Sequence, residues 1–191
     1  MLPWKHHIDL AASKAASSVG ISYKLRPYLS QKTLIGLYYT FLYPYFTYCN
    51  EIWGNACKTY LSRLIMIQKR AIRLICYKGK YAPTNKIFKE LTILNISSIY
   101  KFKVGQFMFK FHHQLVPSLF YDFFIFNRHV HEYGTRQQNM IHIPKIKSNI
   151  SKRCISYSGC IIWNHIIKTM CIDCSINVFK KVYRKSLLDL Q

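Results

Sequence analysis

The chain has 191 residues, half of them hydrophobic and 16% aromatic, with only seven glycines and six prolines. That is enough apolar material to bury a core, and it excludes a disordered tail or a linker. Twenty-eight Lys and Arg against seven Asp and Glu leave a formal charge of +21, which favours a polyanionic partner, either nucleic acid or an anionic membrane surface.

Residues 6–19 have helical composition, and Gly20 is the expected stop. A basic connector containing Arg26-Pro27 follows, and Ser30 is placed to cap a helix over 31–43. The window 33–50, TLIGLYYTFLYPYFTYCN, is 18 residues without formal charge, which just reaches the length of a spanning helix. Five of those residues are Tyr, which prefers the membrane interface to its centre. Together with Pro44, Thr40, Thr47 and Asn50 they favour two buried helices, the second opening near Pro44. A membrane-associated protein anchored by this window is the least favoured reading.

The strongest helical pattern runs from Tyr60 to Tyr77. At about 100° per residue, Leu61, Leu64, Ile65, Gln68, Ala71, Ile72 and Ile75 share one broad face. Arg63, Lys69, Arg70 and Arg73 share an opposite arc of roughly 120°. Between Ile52 and Lys89 there are nine Lys or Arg and no Asp or Glu. A helix that merely faces solvent mixes signs and gains from Glu–Lys pairs, so the pattern favours a phosphate-facing surface.

Thr84 is placed to cap a short helix through Phe88 and Leu91. Another helix is expected from Ser97 or Ser98 to His113, with Ile99, Phe102, Gln106, Phe107 and Lys110 recurring on one face. Its aromatics read as core, not as base-stacking platforms. Pro117 ends that segment. From Asn127 to Ser156 the period is lost: Arg128, His129, His131, Gly134, Thr135 and Arg136 make a polar, basic loop, and Met140 to Ile146 reads as a short extended piece. Gly159 to Ile167 reads as helix around Trp163. Ser175 then caps a last amphipathic helix, with Val178, Phe179, Val182 and Leu187 inside and Lys180, Lys181, Arg184 and Lys185 outside. The expected fold is mainly α: a helical region over 1–114, then a small, basic, α-rich region over 115–191 that holds the short β segment.

The acids are Asp9, Glu51, Glu90, Asp122, Glu132, Asp173 and Asp189, none within three residues of another. Polymerases and two-metal nucleases need converging carboxylates to hold Mg²⁺, and no local pair supplies them. The seven cysteines are irregularly spaced. The opening MLPWKHHIDL has a broken apolar run and an early acid, unlike a secretory leader. Free thiols in a reducing, intracellular compartment, nucleus or cytoplasm, are therefore expected. Cys171-x-x-Cys174, with Cys154, Cys160 and His165 upstream, offers only one tight pair, a weak zinc signal that free buried thiols explain better. No nucleophile elbow, glycine-rich phosphate loop or H-E-x-x-H pattern occurs. The expectation is no catalytic residue, no metal, no cofactor and no small-molecule substrate.

Several segments, read in order, resemble the C-terminal part of jockey-like non-LTR retrotransposon (LINE) reverse transcriptases. They are LPWKHHI at 2–8, Lys14 with Val19-Gly20, KLRPYLSQKTLIGLYYTFLYPYFTYCNEIWG through Trp53-Gly54, and LIMIQKRAIRLI at 64–75, centred on Gln68 to Arg73. FKELTILNI at 88–96, HEYGTR at 131–136 and SGCIIWN at 158–164 complete the set. Trp163-Asn164 is followed by His165-Ile166 where the family shows Leu-Pro, which affects the local turn. The resemblance covers nearly the whole chain and implies a region beginning just after the palm, with a helical thumb. It implies that the metal-holding aspartates, and the Mg²⁺ they would bind, belong to an upstream palm that this chain does not contain. On that reading the chain is a truncated fragment of an RNA-directed DNA polymerase. It would be inactive alone and would grip RNA, DNA or RNA–DNA hybrid by its backbone through Arg63, Lys69, Arg70 and Arg73, helped by Lys180, Lys181, Arg184 and Lys185. The alternative is a non-enzymatic RNA- or protein-binding remnant.

Overall fold

The computed structural model describes residues 4–130 and 137–191. The described residues form a mainly α fold: α1 (Trp4–Leu25), α2 (Gln31–Leu37), α3 (Tyr43–Thr47), α4 (Asn50–Trp53), α5 (Lys58–Ile75), α6 (Asn85–Glu90), α7 (Ile96–His112), α8 (Asn127–Val130), α9 (Ile155–Thr169) and α10 (Ile176–Asp189). No helix among them is long and apolar enough to cross a membrane. Two compact units emerge, one of residues up to Tyr100 with Lys185–Gln191, the other of Lys101–Arg184. The division at 114/115 drawn from composition falls inside the second.

In the first unit α1 packs along α5 and also meets α3. The small side chains of Ala11, Ala12 and Ala15, all buried with Ile8, let the two long helices approach closely. The expected stop at Gly20 does not occur. Gly20 is exposed within α1, where its cost of about 1 kcal/mol is tolerated. The helix instead ends before Pro27, whose ring disfavours helical backbone at the preceding Arg26.

The uncharged window folds as α2, a π segment (Tyr38–Leu42) and α3. Ser30 caps α2, accepting from the Thr33 amide at 3.3 Å. Leu34, Tyr38, Leu42, Phe46 and Asn50 are buried, one residue in every four. A helix of 3.6 residues per turn would carry such a row away from the core. One wider turn, closed by the Tyr43 amide on the Tyr38 carbonyl, brings it back. It lies just before Pro44, which cannot donate to the ladder.

α5 buries Leu61, Leu64, Ile67, Gln68, Ala71, Ile72, Leu74 and Ile75, the face expected from periodicity widened by Ile67 and Leu74, with Ile65 half-buried. Gln68 is the polar member of that core. Its amide nitrogen donates to the Tyr38 hydroxyl and to the Leu94 carbonyl, both at 2.9 Å. Its amide oxygen accepts from the Ile96 amide at 3.0 Å. One side chain thus links α5, the π segment and the start of α7. Nearby, Gly54 closes α4 where an added Cβ would lie 2.5 Å from the Asn50 carbonyl oxygen and 2.7 Å from the Tyr100 ring.

α5, α6 and α7 end alike. The Lys78 amide donates back to Arg73, Ile93 to Phe88 and Leu115 to Lys110, at 2.9, 3.0 and 2.8 Å. These are Schellman closures, which place the intervening residue in the left-handed region. Here those residues are Tyr77, Thr92 and Gln114, with φ of 53°, 51° and 56°. Glycine is absent from all three positions, so the stops carry no glycine signature in the sequence.

The second unit has an aromatic centre. Phe109 stacks on Phe179 and Phe179 on Tyr183, with ring centroids 4.5 and 5.5 Å apart, and Trp163 meets Phe109 edge-on. α7 passes so close to the Tyr183 ring that a Cβ at Gly105 would overlap it. The face expected on α7 is corrected here: Gln106 and Phe107 are half-buried and Lys110 is exposed, while Val104, Met108, Phe109 and Phe111 are buried. An apolar helix buried on several sides has no single face for periodicity to find. On α10 the inward row is Phe179, Tyr183 and Leu187, whereas Val178 and Val182 are about half exposed. The extended piece reduces to one antiparallel bridge, Phe126 with Ile141. The Asn164 side chain holds it, accepting from the Ile141 amide at 3.0 Å and donating to its carbonyl at 2.8 Å.

Two variants test these contacts. Gln68→Leu should lower unfolding free energy by about 2 kcal/mol, because it removes the side-chain partner of the buried Leu94 carbonyl and Ile96 amide; chemical denaturation reads the loss. Gln114→Gly should raise it by about 1 kcal/mol, since glycine carries no Cβ penalty at positive φ; a higher melting temperature is the expected result.

Candidate nucleic-acid interface

The basic arc of α5 is set by the burial opposite it. Arg63 and Arg70 are exposed, and Lys69 and Arg73 are half-buried. They do not have equal freedom. The Arg73 Nε donates to the Ala82 carbonyl at 2.8 Å and so pins the turn after α5. An Arg63 terminal nitrogen reaches the Ser13 hydroxyl on α1 at 3.4 Å. Lys69 lines a small cavity of about 220 Å³ with Asn85, Phe88, Asn95 and Ser97. Among the described residues, neither Lys69 nor Arg70 has a carboxylate partner. Lys78, Lys80, Lys86 and Lys89 are exposed on the stretch that follows, and Lys89 donates to the Asp189 carbonyl at 3.2 Å. Thr84 stands at the start of α6, but its hydroxyl makes no cap.

Lys181 and Lys185 on α10 are exposed, and Lys180 and Arg184 are half-buried. Ser175 caps this helix through the Val178 amide at 3.4 Å. Lys185 belongs to the first unit and the other three cations to the second, so the eight expected contact residues divide between two bodies. HEYGTR at 131–136 lies outside the described residues, as do Leu2 and Pro3 of the opening segment.

Cys171 is exposed and Cys174 half-buried, and none of the seven cysteines is joined in a disulfide. Among the described residues no group of three or more His, Cys, Asp or Glu is gathered for a metal ion. Cys160 is buried with its Sγ donating to the Ser156 carbonyl at 3.0 Å, and burial pushes its thiol up to about 11.

One feature had no sequence signal. The end of α7, the 3₁₀ stretch Ser118–Phe123, α8 and the segment after α9 enclose a groove of about 900 Å³ in the second unit. His112 and His129 line it, with Arg128 and with Asp122 and Asp173. Those residues come from four stretches of chain, and only their meeting in space marks a site. The chain matches no family model, no curated protein and no solved structure.

His112 gives this region a pH dependence. Burial holds its imidazole below the ordinary value of 6.5; His113 and Arg128 push the same way, and Asp173 opposes them. The unfolded chain therefore takes up this proton first. Stability should fall as pH drops through 6.5 and level off below the depressed folded value. Urea midpoints measured from pH 7.5 downward should show that fall, and His112→Gln should flatten it.

Proposed function

We propose that the chain is the thumb-like, post-palm region of a LINE-type RNA-directed DNA polymerase, and that it holds template–primer duplex by its phosphates. The observation that carries this is α5, which turns Gln68, Ala71 and Ile72 into the core and Arg63 and Arg70 outward. No acid occurs between Ile52 and Lys89 to neutralise the outward cations. Support also comes from the ordered run of segments that resemble the family. A helix studded with cations on one arc attracts backbone of any sequence, because phosphates carry no base identity. On this reading α5 positions a duplex, Mg²⁺ and polymer synthesis belong to a palm elsewhere, and the chain alone extends no primer.

Lys69 and Arg70 are the residues to test, since Arg73 also holds a turn. Affinity should be measured against salt for wild type and Lys69→Ala/Arg70→Ala, on two RNA–DNA hybrids of unrelated sequence. Both hybrids should weaken equally, and the log–log slope should flatten by about one unit per lost phosphate contact. An unchanged slope would show that these cations only face solvent, and a sequence-selective loss would mean base reading instead.

A further inference from the structure

The groove at the end of α7 has the wrong charge for a phosphate clamp. The chain carries +21 and seven carboxylates in all, yet two of the seven, Asp122 and Asp173, line this one hollow. A site built for backbone alone would carry cations, as the outer arc of α5 does. Carboxylates instead accept from N–H donors, and the edges of cytosine, adenine and guanine present amino groups. Asn139 lines the same groove, and its amide can both donate and accept. Tyr121 and Phe126 supply aromatic surface, on which a base of any identity stacks. Arg128 lies over the Phe126 ring, 5.0 Å from its centroid, and spends only its Nε on His129 at 3.0 Å. Its remaining guanidinium donors suit one phosphate, and its charge opposes a simple cationic ligand. A volume of about 900 Å³ falls within the roughly 300–1,000 Å³ of small-ligand sites.

We propose that this groove takes one unpaired nucleotide of a single-stranded nucleic acid, with the base against Tyr121 and its edge toward Asp122, Asp173 and Asn139, and the phosphate at Arg128. This rests on the nucleic-acid reading above but uses different residues, in the other compact unit. The first surface holds charge, and the groove holds a base.

The test uses the full chain and fluorescence anisotropy with a short labelled DNA strand, intact or with abasic sites replacing its bases. The two probes carry the same phosphates. The abasic strand should bind about tenfold more weakly, the loss expected for a stacked base. Tyr121→Ala and Asp173→Asn alter exposed side chains, so melting temperatures should not move. Each should bring the intact strand toward the abasic affinity, without changing its salt slope or the affinity for RNA–DNA hybrid. Equal binding of intact and abasic strands overturns the proposal, as do variants without effect or variants that lose hybrid equally. Nucleoside monophosphates are the second probe. Displacement of the strand from wild type but not from Tyr121→Ala supports the groove and extends it to free nucleotides, whereas groove-dependent binding without displacement supports a site confined to a strand. The Lys69→Ala/Arg70→Ala result on hybrid is read separately, so failure of the α5 reading leaves base dependence on the single strand measurable.

Discussion

The first unit depends on a primary amide placed where an apolar side chain would be expected. Gln68 is almost fully buried, yet its nitrogen makes two hydrogen bonds and its oxygen one. Its partners lie on two other stretches of chain, the π segment and the start of α7. Sliding α5 by one residue would break all three bonds and bury Lys69 in their place. A buried polar group costs free energy unless it is satisfied, so this network penalises every register but one. The outward placement of Arg70 follows from the inward placement of Gln68, because neighbouring residues on a helix point about 100° apart.

Charge is distributed with the same economy. Several cations are tied to the frame: Arg73 to the Ala82 carbonyl, Lys89 to the Asp189 carbonyl and Arg63 to Ser13. These contacts satisfy backbone or hydroxyl oxygens and leave the net charge in place, so the field around the unit stays strongly positive. In the second unit two of the few carboxylates meet at one groove. The outer arc of α5 presents cations alone, whereas the groove sets two carboxylates beside one arginine. On the two proposals above, the first surface neutralises more phosphates and so has the steeper salt dependence.

Backbone irregularities do structural work at defined points. The π turn before Pro44 keeps a row of side chains at four-residue spacing on the core, where a regular helix would rotate it away. The Schellman closures after α5, α6 and α7 turn the chain sharply while satisfying terminal carbonyls. Placing Tyr77, Thr92 and Gln114 in the left-handed region costs each some strain. At Tyr77 the side chain contributes in return, with the Arg26 guanidinium 4.8 Å from its ring centroid.

The sequence by itself determined the mainly helical class, the two faces of α5, the Ser30 and Ser175 caps and the basic character of the surface. Those features rest on local rules: helical periodicity, hydroxyl caps and net charge act within a few residues and need no partner. It also marked the Trp163-Asn164 pair, without showing that Asn164 clamps Ile141. Tertiary structure decided the rest. α7 is apolar on several sides, so only its neighbours select which residues are buried. Tyr183 replaced the valines on the inner row of α10 because Gly105 leaves room for its ring. Gly20 did not end α1, since one glycine costs a helix only about 1 kcal/mol and the chain stays helical up to the residues before Pro27. Gln68 was legible as a member of the inner face, but its three partners lie 26 to 30 residues away in sequence. The groove was invisible for the same reason: Asp122 and Asp173 are isolated acids in the chain, and only folding brings them to one hollow.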